Sequence, residues 1–197
     1  MPREHLPFEL SDPHGSEASS TDRVEELKIT QFWRERLRRL SKPAAVSLIP
    51  SLSTANVLCW ENQRQLSGSL VQFAVEAKER HPDMVLLIRV GDFYEAYGVD
   101  ALMLVEYAGL NPMGRKARAG CPAGNVQATL DGLTHAGLTV AVYEEIAPAN
   151  TSEGKYRKLK QRALAQIVSP ASPAYIYEAC LSSHDIAYSE PPPYVGV

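Results

Sequence analysis

Apolar positions along this chain follow two rhythms, one of about 3.6 residues and one of two, and their order predicts an α/β domain. Between positions 24 and 40, Val24, Leu27, Phe32, Trp33, Leu37 and Leu40 fit the stripe of one amphipathic helix with an arginine-rich opposite face. A short apolar stretch over 44–49 follows, bounded by Pro43 and Pro50. Leu70, Phe73, Ala74 and Ala77 predict a helix over 70–80, capped by Ser69 or Ser67 and ended by His81-Pro82-Asp83. An apolar run of strand length covers 84–90, and Gly91-Asp92 turns the chain into a second strand over 93–97. A helix over 100–108 stops at Gly109, and Pro112, Gly114, Gly120 and Pro122 mark a loop. Position 126 opens a helix that Gly137 ends, and 138–146 is rich in β-branched residues, as strands are. A polar, basic loop over 148–162 leads to a strand over 163–169, with 175–177 as a further short candidate. The alternation gives a mixed β-sheet flanked by helices, of the α/β (α+β) class.

Four regions follow from this pattern. Residues 1–22 carry Pro2, Pro7, Pro13, Gly15 and a Ser/Thr cluster without periodicity, and read as a disordered acidic leader. Residues 23–66 form a helical extension, 67–178 the compact domain, and 179–197 a tail. The leader's acidity does not suit an organellar transit peptide, and it has no secretory apolar core.

Composition narrows the classes. Apolar residues make up 45% and charged residues 22%, as in a water-soluble globular domain. The longest apolar runs fall well short of the roughly 20 residues of a membrane helix, so no membrane partner is expected. Cys59, Cys121 and Cys180 form no CxxC pair and the histidines no HExxH, so no metal site is expected. A net charge of −3 does not suggest nucleic acid, but its distribution does. Cations cluster at 34–39, at Arg115, Lys116 and Arg118, and at Lys155, Arg157, Lys158 and Lys160. Phosphate binding needs local cations, not a basic average. Any one such run, taken alone, is better explained by a solvated helix face or loop.

The residues 82–101, PDMVLLIRVGDFYEAYGVDA, resemble the opening of the mismatch-recognition domain, domain I, of MutS-type mismatch-repair proteins. Further matches fall in order. Ala119-Gly120-Cys121-Pro122 resembles the family's AGVP element, 138–145 its following strand, which usually ends in Glu-Gln, and Ile167-Val168-Ser169-Pro170 its closing IVTPGT. Residues 33–37, Lys42-Pro43, 105–112 and 119–122 are similar, more narrowly, to the plant organellar branch of the family. The similarity covers about 31–197. Two departures stand out: Ala123-Gly124 replaces the usual Tyr-His, and Ala171-Ser172 the closing Gly-Thr.

The resemblance implies that Phe93 and Glu95 of GDFYE touch a mispaired base. Strand geometry adds a constraint: Phe93, Glu95 and Tyr97 share one face, and Tyr94 and Ala96 the other, where Tyr94 suits the core. A carboxylate buried between two aromatics without a partner costs several kcal/mol. So either that face is open to solvent or Glu95 has a dedicated partner. Phe93 would act as a minor-groove wedge, offsetting an unstacking cost of a few kcal/mol per step only where the duplex is already weakened. Glu95 would repel the phosphates of ordinary duplex and recover that penalty by hydrogen bonding to a displaced base. Asp92 is expected to serve the turn, and Asp83 and Asp100 to cap helix or turn ends.

The partner implied is double-stranded DNA with mismatches or unpaired nucleotides, in a mitochondrion or plastid, with the nucleus as an alternative. No cofactor is expected in this chain. The ATP and magnesium of the full-length family need a GxxxxGK[ST] loop, and Glu153-Gly154-Lys155-Tyr156 lacks both spacing and hydroxyl. There is also no GIY…YIG nuclease pattern, so the chain is expected to be no enzyme. The family dimerises through other domains. Residues 192–197 resemble the first strand of its connector domain, so the chain reads as a fragment. Two rival readings remain: a truncated homologue serving as a protein-interaction module with little DNA binding, and a small enzyme using Glu95 or Glu144-Glu145. The carboxylates of the second have no companion His, Lys or metal cluster, and Glu144 and Glu145 point to opposite faces.

Overall fold

The structure, a computed structural model, describes residues 20–61, 69–114, 116–146 and 160–176. Residues 1–19 of the acidic leader and everything from 177 onward, the tail over 179–197 included, lie outside the described residues. Residues 20–22, expected in the disordered leader, begin the first helix, α1 (Ser20–Glu26).

A five-stranded mixed sheet forms the centre, in the order β3-β2-β1-β4-β5. Its strands are β1 (Val85–Val90), β2 (Phe93–Tyr97), β3 (Arg118–Pro122), β4 (Val140–Glu145) and β5 (Arg162–Val168). β1 runs parallel to β4 and antiparallel to β2; the β2–β3 and β4–β5 pairs are antiparallel. The central position of β1 explains its unbroken Val-Leu-Leu-Ile: both of its faces are covered. Val85 and Leu87 join one core with Tyr94, Ala96, Cys121, Val140 and Val142, under α5 (Val99–Tyr107) and α6 (Val126–His135). Leu86 and Ile88 join the other with Tyr97, Ala141 and Tyr143, under α4 (Leu70–Arg80). Ser69 caps α4 by accepting the Gln72 N–H at 3.2 Å, the bond its position predicts.

Besides the short strand expected over 175–177, whose described residues Tyr175 and Ile176 belong to no strand, the structure departs from the sequence pattern in three places. The single helix expected over 24–40 is two, α1 (Ser20–Glu26) and α2 (Gln31–Arg38). The stripe is real, but the chain turns between them. There the Arg34 guanidinium donates to the freed carbonyl of Leu27 at 2.9 Å, and the Thr30 hydroxyl to Asp83 at 2.7 Å. The second departure is β3, expected as loop because it holds Gly120 and Pro122. An edge strand tolerates both, since Pro122 is its last residue. Third, Asp100 is no cap. It is fully buried, accepts Lys78 Nζ at 2.6 Å and the Leu86 N–H at 3.1 Å, and so ties α4 and β1 to α5.

The helical extension is not an appendage. Val24, Leu27, Trp33, Leu37, Ala45 (in α3, Pro43–Val46), Leu48 and Leu52 are buried in the same core as Val85 and Leu87. Trp33 donates its indole N–H to the Pro82 carbonyl at 2.6 Å, and the Leu58 carbonyl accepts the Val99 N–H at 3.0 Å. Among the described residues no helix is long and apolar enough to cross a membrane.

Candidate nucleic-acid interface

The β1–β2 hairpin closes with two residues, Gly91 and Asp92, since Val90 pairs with Phe93. Gly91 has φ 60°, a left-handed value that glycine adopts without steric penalty. Arg89 Nε donates to the Gly91 carbonyl within the hairpin, and three contacts from outside it hold this turn. The Glu145 carboxylate accepts the Gly91 N–H at 3.2 Å, Arg162 Nε donates to the Arg89 carbonyl at 2.9 Å, and the Asp92 carbonyl accepts the Ala123 N–H at 2.9 Å. Glu145 is itself gripped by Arg162 at 2.8 Å and Lys160 at 2.6 Å. Burial alone would raise its pKa. The Lys160 and Gly91 hydrogen bonds outweigh burial and hold the carboxyl below the ordinary carboxylate range.

Phe93 follows that turn as the first residue of β2. It is 44% exposed, whereas the four residues after it are buried. Its strand neighbours are Val90 and, on β3, Pro122. An aromatic side chain thus stands in solvent at the end of a braced hairpin.

Glu95 lies on the same face and is 5% exposed. Of the two conditions set by the alternation, each holds at a different residue: the face is open at Phe93, and Glu95 has dedicated partners. Arg118 forks onto the carboxylate, with Nη2 at 2.6 Å from Oε1 and 2.7 Å from Oε2, and Nε at 3.0 Å from Oε2. The Tyr97 hydroxyl donates to Oε2 at 2.6 Å. The bond to Glu95 raises the Arg118 pKa, and burial, with the hydroxyl's own bond to Glu95, raises the Tyr97 phenol. Arg118 pairs across the sheet with Tyr97, and Gly120 with Glu95. Gly120 has no side chain to interpose, and a Cβ there would come within 2.5 Å of the Tyr94 carbonyl oxygen.

The opposite face is core. Tyr94 is 1% exposed and donates its hydroxyl to Glu144, which also accepts from Tyr175 at 2.6 Å. Burial, reinforced by the bond to Glu144, pushes the Tyr94 phenol up to about 12. Glu144 and Glu145 therefore do point apart, one into this tyrosine pair and the other to the hairpin turn.

Of the predicted phosphate contacts, Lys116 is exposed and Arg118, with its side chain 41% exposed, is committed to Glu95. Arg115, Lys155, Arg157 and Lys158 lie outside the described residues, while Lys160 is exposed and bound to Glu145. No group of His, Cys, Asp and Glu suited to a metal ion occurs among the described residues. Sequence reasoning missed Arg162 and the bracing role of Glu145. No local signal reveals either, because their contacts depend on how β4, β5 and the hairpin meet.

The mixed five-stranded sheet flanked by helices defines the class, an α/β domain whose β1–β2 hairpin carries Phe93 exposed and Glu95 buried. Residues 68–175 match the family model of MutS domain I, and the chain belongs to the MutS family. Among individual relatives, it is 38% identical over 178 residues to the mitochondrial DNA mismatch repair protein MSH1 of Arabidopsis thaliana, a match covering 84% of this chain and 15% of that one. It is 34% identical over 123 residues to the DNA mismatch repair protein MutS of Thermus thermophilus, covering 59% of this chain and 14% of the relative. With MutS of Bacteroides fragilis the identity is 33% over 103 residues, or 49% and 12% of the two chains. The chain therefore spans about 15% or less of the length of these relatives.

Proposed function

We propose that this domain reads mismatched or unpaired positions in duplex DNA as part of mismatch repair, with Phe93 as the wedge and Glu95 as the group that meets the displaced base. The observation that carries the reading is Phe93 itself: a large aromatic, 44% exposed, on a hairpin braced at three points. Several aliphatic side chains are as exposed, but among the described residues Phe93 is the one aromatic of that group. A wedge must resist being pushed back as it separates stacked bases, and the bracing supplies that stiffness. Stacking of a base on an aromatic contributes about 1–3 kcal/mol, which offsets unstacking only where pairing is already defective. Lys116, Arg115 and the cations Lys155, Arg157 and Lys158 are proposed to contact phosphates, and the compartment is proposed to be an organelle, a mitochondrion or plastid, in line with the mitochondrial Arabidopsis relative. ATP hydrolysis and dimerisation are proposed to belong to other domains of the full-length family.

Competition binding tests this. Unsubstituted chain should prefer a duplex with one mismatch over its matched counterpart, and Phe93→Ala should lose that preference. Undiminished preference in Phe93→Ala defeats the wedge. Binding to neither duplex by folded protein favours a protein-interaction module instead.

A further inference from the structure

We propose that Arg118 is a specificity-determining residue: it holds Glu95 in a closed pair that opens only when a displaced base and a backbone phosphate are both at hand. The proposal rests on the reading above, in which Phe93 and Glu95 meet the mispair.

Both Glu95 oxygens are occupied, Oε1 by Arg118 and Oε2 by Arg118 and Tyr97. The Glu95 side chain is only 7% exposed, so it meets a base edge only after its cover moves. The cover is Arg118. Its side chain is 41% exposed, and it reaches Glu95 on a long flexible stem from the edge strand β3. Glu95 sits deeper, between the Tyr97 hydroxyl and the guanidinium, so of the two partners Arg118 is the one free to swing outward.

Two anions then compete for one guanidinium. Away from DNA, Glu95 holds it bidentately, the geometry in which an arginine–carboxylate pair is strongest. Next to a duplex, a phosphate offers the same planar, bidentate match. Transfer of Arg118 to phosphate would leave Glu95 with the Tyr97 hydroxyl alone and no counter-charge, which is unfavourable unless another donor replaces the guanidinium. A base rotated out of its pair by the Phe93 wedge brings such a donor. On matched duplex no donor arrives and the pair stays closed and neutral. On mismatched duplex the exchange keeps every charge partnered: Arg118 on phosphate, Glu95 on the base.

Salt dependence separates this from simpler roles, because each arginine–phosphate contact adds about one unit to the slope of log affinity against log salt. The 197-residue chain and its Arg118→Met, Glu95→Gln and doubly substituted forms would be titrated with matched and single-mismatch duplexes, after thermal unfolding shows each to be folded. Arg118→Met should reduce the slope by about one on the mismatched duplex and leave the matched slope unchanged. Its matched affinity should fall roughly three- to fivefold, because Glu95 is left as an uncompensated charge near phosphates. Glu95→Gln should raise the matched slope by about one, since it releases Arg118, and Arg118→Met in that background should remove the increase. An equal drop on both duplexes makes Arg118 an ordinary phosphate contact and overturns the proposal; so does no change on either. If Arg118→Met does not fold, the Glu95→Gln slope alone decides. Loss of all mismatch preference in the unsubstituted chain, or its survival in Phe93→Ala, defeats the wedge reading instead.

Discussion

The Glu145 carboxylate accepts the Gly91 N–H at 3.2 Å across 54 positions of sequence, and so the end of β4 sets the turn that presents Phe93. Arg162, opposite Glu145 on β5, completes the brace with its bond to the Arg89 carbonyl. Glu145→Ala removes the acceptor while leaving the cores untouched. Its expected effects are faster amide hydrogen exchange at Gly91 and a weaker mismatch preference with little loss of global stability. Unchanged exchange at Gly91 would show that the turn holds itself.

Phe93 and Tyr94 are neighbours with opposite energetic roles. Phe93→Ala removes an exposed ring and should change unfolding free energy by no more than about 0.5 kcal/mol. Tyr94→Ala empties a fully buried site and strands Glu144 with one hydroxyl fewer, so it should cost about 3–5 kcal/mol. Urea denaturation of the two variants would measure the contrast, and similar midpoints would contradict the assigned faces.

A chain beginning at residue 62 should not fold cooperatively. Trp33, Leu37, Leu52 and Leu58 are each at most 1% exposed, and their removal uncovers the matching surface of the domain. At roughly 1.5–3 kcal/mol for each buried side chain, four of them already rival the total stability of a typical domain. Near-ultraviolet circular dichroism of the shortened chain, expected to lack a native tertiary signal, provides the check.

Glu106 ties the extension to α5 by accepting the Ser41 hydroxyl at 2.6 Å, the Ser41 N–H at 3.1 Å and the Lys42 N–H at 2.9 Å. Burial pushes its pKa up, but these donors outweigh it and the carboxyl sits below its ordinary value. A depressed folded pKa gives stability that is complete above the unfolded value, about 4.3, and fades as pH falls through the folded one. Glu106→Ala should therefore lower stability at neutral pH by roughly 1.5–3 kcal/mol, and the gap from unsubstituted protein should narrow below about pH 4. A gap constant from pH 7 to pH 3 would contradict the sign.

Much of the fold was legible because its signals are local. The Ser69 cap, the doubly buried run of β1, the Gly91 turn and the glycine stop after α6 each rest on residues within one turn or strand of one another. The break between α1 and α2 was not legible, since both helices keep one apolar stripe and only the docking of Thr30 and Arg34 shows where the chain bends. β3 was hidden by Gly120 and Pro122. They look like loop residues until β2 supplies an edge on which they are tolerated.

For the site, the sequence alone determined that Phe93 and Glu95 share a face and that Tyr94 turns inward, because side chains alternate along any strand. Tertiary structure decided which of the two stands in solvent. It set Phe93 at the open end of the sheet, and it brought Arg118, 23 positions away, onto Glu95. Strand alternation acts between adjacent residues, whereas those partners depend on the register between separate strands, and register forms only when the whole sheet closes on its cores.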